Sequence, residues 1–567
     1  MMGYKVYLYL WLCLGLAVLG GCAAPEKQAP PAADKPAPAD AYQHRIAAVL
    51  DPANPAGDLY DFRSPDRLIG FYRNRDFQPA WGGSVGNLQQ LHQLLTVVGE
   101  SVREGLNPED YHLRSLTALV RRLHNTPSAL SLQARVRLEC WATDAFLTYA
   151  RHALFGRINS ETSFPALQTV RKEADLNHFL EIALDSGSVD TVLRSLLPNH
   201  AGYTDLRREL ARYRAIAASS EWPLIPAGGP LNVGVQDVRV TVLRKRLQLE
   251  EYAVQAPTES AEGYDFALKR TVADFQRRHG LAMDGIVGAA TRDALNISVE
   301  KRIAQIELNL ERWRRLPRFL GHRYLFVNIA DFELKIIEDQ SQMASMRAIV
   351  GRNYRQTPIF SASMNTIVFN PYWYVPHTIF IEDLLPKIKA DADYLKARNY
   401  RIFSRLGPAA AEVDPAEIDW NRVAGDDFNY ILRKEPGPAN PLGRVKFVLP
   451  NPFNVYIHDT PAPAKFLENR RDFSSGCIRI ENPIALSEYL LKDDPRWSRE
   501  NILAAVARGT PTLIRLLDPI PVHIVYMTAW TDRRGRVQFR PDIYDRDAVL
   551  IRTLFPSTAA GVNRTNH

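Results

Sequence analysis

NPFNVYIHDTPAPAKFLENRRDFSSGCIRIENP, residues 451–483, decides how the chain is read. The run into His458 is strand-like, and residues i and i+2 of a strand share a face, so Tyr456 and His458 are expected to point into one cleft. Cys477 follows nineteen residues after His458. A thiol is a poor nucleophile until it loses its proton, and a histidine within hydrogen-bond reach supplies the base. Gly476 permits close approach of a carbonyl, and backbone N–H groups at Ser475 and Gly476 are candidates for an oxyanion hole. The following IENPIALSEYLLKD reads as a helix. Cys477 is therefore expected at a turn opening that helix, where the N-terminal dipole favours a thiolate. These residues describe acyl transfer through a thioester.

Cysteine is scarce: Cys13, Cys22, Cys140 and Cys477 are all the chain has. Lys5 precedes an apolar run from Val6 to Leu19, too short for a membrane span and ending in small residues, which reads as a secretory signal. The junction Leu19-Gly20-Gly21-Cys22 resembles a bacterial lipobox, whose cysteine is lipidated and becomes the new N-terminus. With Ala23 after it, the resemblance implies an outer-membrane anchor facing the periplasm. The Pro/Ala-rich residues 22–41 then read as a tether. Cys140 lies in an amphipathic helical pattern and reads as a buried small hydrophobe, not as a disulfide partner for Cys477. The net charge of +7 is modest for 567 residues and gives no argument for nucleic acid.

Residues 42–230 read as a helical scaffold, as in LQQLHQLLTVVGESVREGL (88–106) and RVRLECWATDAFLTYARHALFG (135–156). His152 within the second reads as a structural histidine. Residues 236–296 hold two helix patterns and a turn at Asp284-Gly285, with Thr291 able to cap a short helix. Phe275, Gln276, Gly280, Leu281, Asp284, Gly285, Gly288, Thr291 and Leu295 in this stretch resemble the three-helix peptidoglycan-binding domain. RIAQIELNLERWRRLP (302–317) reads as a connector helix. From residue 322 the texture changes to alternating, β-branched and aromatic segments, giving a β-rich domain over 322–517. A polar, helical insertion at about 381–443 is expected to act as a lid. Residues 518–567 read as a strand-rich extension with a turn near Arg533–Arg536.

The segment around Cys477 resembles the YkuD-type L,D-transpeptidase catalytic domain, through His458, Asp459, Ser474, Ser475, Gly476, Cys477, Ile478 and Arg479. Many members carry histidine where this chain has Ser475, which leaves no second histidine. The order of scaffold, peptidoglycan-binding unit and lidded β domain resembles the large multi-domain members. The fold class is thus multi-domain α+β: a helical N-terminal scaffold, a three-helix peptidoglycan-binding domain and a β-rich catalytic domain with a helical lid insertion. The resemblance implies 3→3 cross-linking of peptidoglycan stem peptides, with Cys477 as nucleophile and His458 as base. Tyr456 and Ser474 would line the substrate site, and so would Trp373 and Tyr372 unless they pack the core. Arg479 would hold the loop, polarise the site or form a structural ion pair.

A carbapenem is expected to acylate Cys477, and peptidoglycan synthases are possible partners. The same site would also serve an L,D-carboxypeptidase or the attachment of a wall protein. A non-catalytic, wall-binding lipoprotein is the reading from another class. No H-E-x-x-H or paired C-x-x-C spacing occurs, so neither metal nor cofactor is expected.

Overall fold

The computed structural model describes residues 39–51, 62–82, 85–126, 130–158, 174–219, 221–256, 260–407, 409–423 and 428–554. Residues 1–38, with the signal, Cys22 and most of the tether, lie outside them. No helix among the described residues is long and apolar enough to cross a membrane.

The N-terminal part is built of helices, the longest being Leu132–Phe155, capped by the Ser131 hydroxyl on the Ala134 N–H. Along most of this helix both faces are buried, because shorter helices pack round it. Its carboxylate Glu139 is 1% exposed and stays in the core because donors surround it. The Trp81 and Gly82 N–H groups donate to it at 2.9 and 3.1 Å, and the Tyr72 and Tyr42 hydroxyls at 2.9 and 3.2 Å. The helix Ala201–Ser219 departs from the single scaffold unit expected from sequence. Its Tyr203, Leu206, Leu210 and Tyr213 share a core with Ile306, Leu310 and Trp313 of the helix Val299–Arg314, and with Val537 and Phe539 near the C-terminus.

The peptidoglycan-binding resemblance corresponds to helices Val238–Leu249, Phe266–Arg278 and Ala289–Leu295. Its signature residues have structural work here. The Gln276 amide donates to Asp284 Oδ1 at 2.8 Å and to Thr291 Oγ1 at 3.0 Å, and accepts from the Gly285 N–H at 2.8 Å. One side chain thus knits the turn to two helices.

Among the described residues fifteen strands come next, which we number in chain order. They are β1 (Arg323–Asn328), β2 (Glu333–Glu338), β3 (Ser341–Gly351), β4 (Phe360–Phe369), β5 (Trp373–Tyr374), β6 (Tyr400–Phe403), β7 (Glu412–Val413) and β8 (Ile431–Lys434). Then come β9 (Val445–Val448), β10 (Ile457–His458), β11 (Asp472–Ser474), β12 (Ile478–Ile480), β13 (Thr512–Val525), β14 (Ala529–Thr531) and β15 (Val537–Phe539). Nine of them form one sheet in the order β11-β3-β12-β10-β9-β4-β13-β1-β2, and β2 also pairs with β3, so the sheet closes on itself with β11 outside the ring. Alternation puts Val327, Ile367, Phe447, Ile457, Ile478, Ile480 and Val522 in the core.

Three sequence expectations change. The insertion is not simply helical: β5, β6, β7 and β8 make a four-stranded sheet with its own core, and it begins at Trp373. A boundary at 517/518 cuts through β13, which pairs with β4 and, in parallel, with β1 as far as Val525. Beyond Val525 the described chain adds one hairpin, β14–β15, and the helix Arg546–Leu554, not a strand-rich unit. Finally, Cys477 does not open a helix. It leads into β12, and the next helix starts at Pro483, so helix-dipole support for a thiolate is absent there.

Candidate active site

Strand register builds the site. β10 runs parallel to β12 with Ile457 beside Ile478 and His458 beside Arg479, and antiparallel to β9 with His458 beside Lys446. The isoleucines and Phe447 point into the core, so their neighbours point out. One row of outward residues across the three strands is Lys446, His458, Arg479. The row before it sets Tyr456 beside Cys477, with the Ile478 N–H donating to the Tyr456 carbonyl at 3.1 Å. Tyr456 and His458 do share a face, their ring centroids 5.6 Å apart.

Cys477 is half-buried, and burial pushes its thiol above the ordinary range. The Tyr456 N–H and hydroxyl, Lys446 and Arg479 oppose that rise without cancelling it. The Sγ also faces the Asn454 carbonyl at 4.0 Å. Tyr456 is held in turn by the Trp373 side chain, so the insertion reaches the thiol through one tyrosine. Among the described residues no hydrogen bond joins Cys477 Sγ to the His458 ring, and the Tyr456 hydroxyl is the side chain that favours the thiolate. The His458 Nδ1 lies 2.6 Å from the Asp459 carbonyl. His458 is buried, and burial, then Arg479 and Lys446, bring its pKa down to about 3. Burial thus disfavours both the thiolate and the imidazolium.

The turn before Cys477 is over-determined. Gly476 has φ +113°, a conformation that suits glycine. Its N–H donates to Ser474 Oγ at 3.1 Å, and Ser474 Oγ donates to the Cys477 carbonyl at 2.6 Å. The Gly476 N–H is therefore engaged, and Ser474 serves the turn rather than open space. The Gly476 carbonyl accepts from Thr357 Oγ1 at 2.8 Å, which itself accepts from the Gly351 N–H at 2.8 Å. Tyr544, from the C-terminal segment, closes this cage: its hydroxyl donates to the Gly351 carbonyl at 2.5 Å and accepts from the Thr357 N–H at 3.3 Å. Ser475 is exposed and its Oγ accepts from Arg355 Nη1 at 3.0 Å. Arg355 also pairs with Asp383 at 2.7 Å and with Glu382, both on the insertion.

Tyr372 is turned away from this centre, packed under Arg433 at 4.1 Å and beside Tyr374. Lys446, Asn454, Arg352, Arg355, Thr357 and Tyr544 escaped sequence reading. They come from other strands and loops, and no local spacing connects them to Cys477. No group of three or more metal-ligating side chains occurs among the described residues. A cavity of about 1010 Å³ lies elsewhere, lined by Asp274, Trp313, Lys335 and Trp530 among others.

Comparison with known proteins bears on this geometry. Residues 322–514 match the family described as "L,D-transpeptidase catalytic domain", residues 236–295 the "Putative peptidoglycan binding domain" and residues 66–210 the "Scaffold domain". A Haemophilus influenzae protein described as "Putative L,D-transpeptidase" is 38% identical over 253 residues, which cover 44% of this chain and 50% of that protein. The match thus spans about half the length of that curated relative. Solved structures include an L,D-transpeptidase from Xylanimonas cellulosilytica, at 14% identity over 53% of this chain and 99% of that one, TM-score 0.17. Another is from Mycobacterium smegmatis, at 12% identity over 36% and 58%, TM-score 0.18. Likeness that distant carries no detail. The chain joins a scaffold domain, a peptidoglycan-binding domain and an L,D-transpeptidase catalytic domain, in that order.

Proposed function

We propose that this protein forms 3→3 cross-links between peptidoglycan stem peptides through a thioester on Cys477. The observation that carries the reading is the outward face of β10 and β12, where Tyr456, His458 and Cys477 meet beneath the insertion. Cys477 Sγ attacks the carbonyl of the L-centre in a donor tetrapeptide. His458 takes the thiol proton and passes it to the leaving amine as the C–N bond to the terminal D-residue breaks. The amine of a neighbouring stem then attacks the thioester, forming the new amide and returning the proton to sulfur.

The hold of the Thr357–Gly476 cage supports a fixed nucleophile, and Tyr456 offers a hydrogen bond to developing charge at sulfur. Water as acceptor would give an L,D-carboxypeptidase, and a wall protein's amine would give protein attachment. In our reading Cys22 carries a lipid that anchors the chain at the outer membrane, the helices at 238–295 hold it to the wall, and peptidoglycan synthases supply nearby stems.

The test is mass spectrometry of muropeptides after incubating the chain with tetrapeptide-rich sacculi, beside Cys477→Ala. New 3→3 dimers only with Cys477 support the proposal. Tripeptides without dimers shift it to a carboxypeptidase. Full cross-linking by Cys477→Ala refutes it. No change in either, with sacculi still bound, leaves a wall-binding protein.

A further inference from the structure

The row Lys446–His458–Arg479 places two cations on either side of the histidine, on neighbouring strands, facing the same way as Cys477. No carboxylate among the described residues answers them. Neither Lys446 nor Arg479 enters an ion pair there, and neither does Arg352. Nearby acids are engaged elsewhere: Glu481, two residues after Arg479, pairs with Arg347 at 3.6 Å. Asp459 accepts from the Arg444 and Thr460 N–H groups at 2.7 Å each, and Glu382 and Asp383 hold Arg355. The Arg479 Nε is buried with no hydrogen-bond partner among the described residues. Lys446 Nζ rests over the Tyr456 ring at 3.9 Å. Arg352 joins the group from the end of β3: its N–H donates to the Ser474 carbonyl at 3.0 Å, and its charge acts on Arg479. A protein that packs cations together and leaves a guanidinium nitrogen unpaired holds that arrangement at a cost. An anion that completes the arrangement offsets it.

We infer that Arg479 and Lys446, with Arg352 at the rim, seat a free carboxylate of the donor stem peptide next to Cys477. This rests on the transpeptidase reading and adds a specificity to it. Arg479 lies two residues beyond Cys477 on the same face, ~7 Å along the strand, which is within reach of a carboxylate about one residue from the scissile carbonyl. The seat also answers a difficulty in the resting site. The two cations help keep His458 from holding a proton, and a bound carboxylate between them offsets their charge when a base is needed. Substrate binding and base strength would thus rise together.

A stem peptide carries a terminal carboxylate and a side-chain carboxylate on its third residue, so the experiment separates them. The full chain is offered three donors: the free acid, the C-terminal carboxamide and the side-chain carboxamide. The rate of Cys477 acylation is read by intact-protein mass as a function of donor concentration. The expected result is a KM about tenfold or more higher for at least one carboxamide, which names the carboxylate that is seated. Arg479→Gln and Lys446→Gln should raise KM for the free acid towards that of this carboxamide, and Arg479→Lys should keep part of the preference. A role limited to lowering the thiol's pKa would slow all three donors alike. Equal acylation of the native chain by all three overturns the inference and leaves the transpeptidase reading standing. No acylation by any donor, with Cys477 still open to iodoacetamide, overturns both.

Discussion

Cys477 is a thiol whose environment works against ionisation at rest, and that has a measurable signature. Its alkylation by iodoacetamide should climb with pH past the ordinary thiol range, with no plateau near neutrality. A plateau by pH 7 would mean a resting thiolate–imidazolium pair. Tyr456→Phe removes a group that favours the thiolate, so alkylation at a fixed neutral pH should slow several-fold, while Trp373→Phe should do the same more weakly. Cys477→Ala should abolish both acylation and the mass adduct expected from a carbapenem. That Tyr456 and His458 share a face was readable from spacing, because a strand repeats every two residues. Lys446 was not, because β9 approaches β10 only when the sheet forms. Nor was the place of the tyrosine: sequence offers histidine as the chemical mate of the thiol, whereas the register of β10 on β12 sets Tyr456 directly opposite Cys477.

Among the elements, the catalytic turn is carried by parts distant in sequence. Tyr544→Phe removes one hydroxyl from the cage around Gly351 and Thr357, with little change in volume. It should cost about 1 kcal/mol in stability, but lower kcat between about ten- and a hundredfold, since small displacements of a nucleophile are expensive. A loss of stability without loss of kcat would show that the cage is scaffolding alone. Arg355→Ala should free the insertion from Ser475, and the change should fall on KM for long stems more than on alkylation of Cys477 by a small reagent. The helix read from IENPIALSEYLLKD is there, but it does not open at Cys477, because IRI pairs with β3 and β10 before Asn482-Pro483 lets it begin. The insertion hid its strands for a related reason: β7 is two residues long and β6 and β8 are four each, too short for alternation to stand out from polar surroundings.

At the scale of the molecule, the domains are joined by buried polar contacts that no segment betrays by itself. Arg314 is buried and donates to the Glu104 carbonyl at 2.8 Å and to the Tyr203 hydroxyl at 3.2 Å, tying the helix Val299–Arg314 to the scaffold. Beside it Gly202 faces Trp313, whose ring a Cβ would meet at 2.6 Å. Gly202→Ala should therefore destabilise this junction by about 1–3 kcal/mol, read as a lowered unfolding midpoint while Cys477 remains correctly caged. Acid should act more widely. His152, His279, His458 and His523 are all held neutral by burial. Their folded pKa values lie below the ~6.5 of an unfolded histidine, so the unfolded chain binds more protons, and stability should fall as pH drops below about 6.5. Denaturant midpoints at pH 7.5 and 5 would check the sign; equal midpoints would contradict it.

The pairing of β13 with β1 sets Val522 beside Leu325, so the ring that carries Cys477 cannot close until residues 522–525 have been made. The helical parts fold from contacts near in sequence and can be complete well before that. A chain cut before Thr512 would keep its helical parts yet leave β1 and β4 as open edges, ready to accept any passing strand. Nonsense mutations that remove β13 should consequently yield sticky protein rather than merely inactive protein.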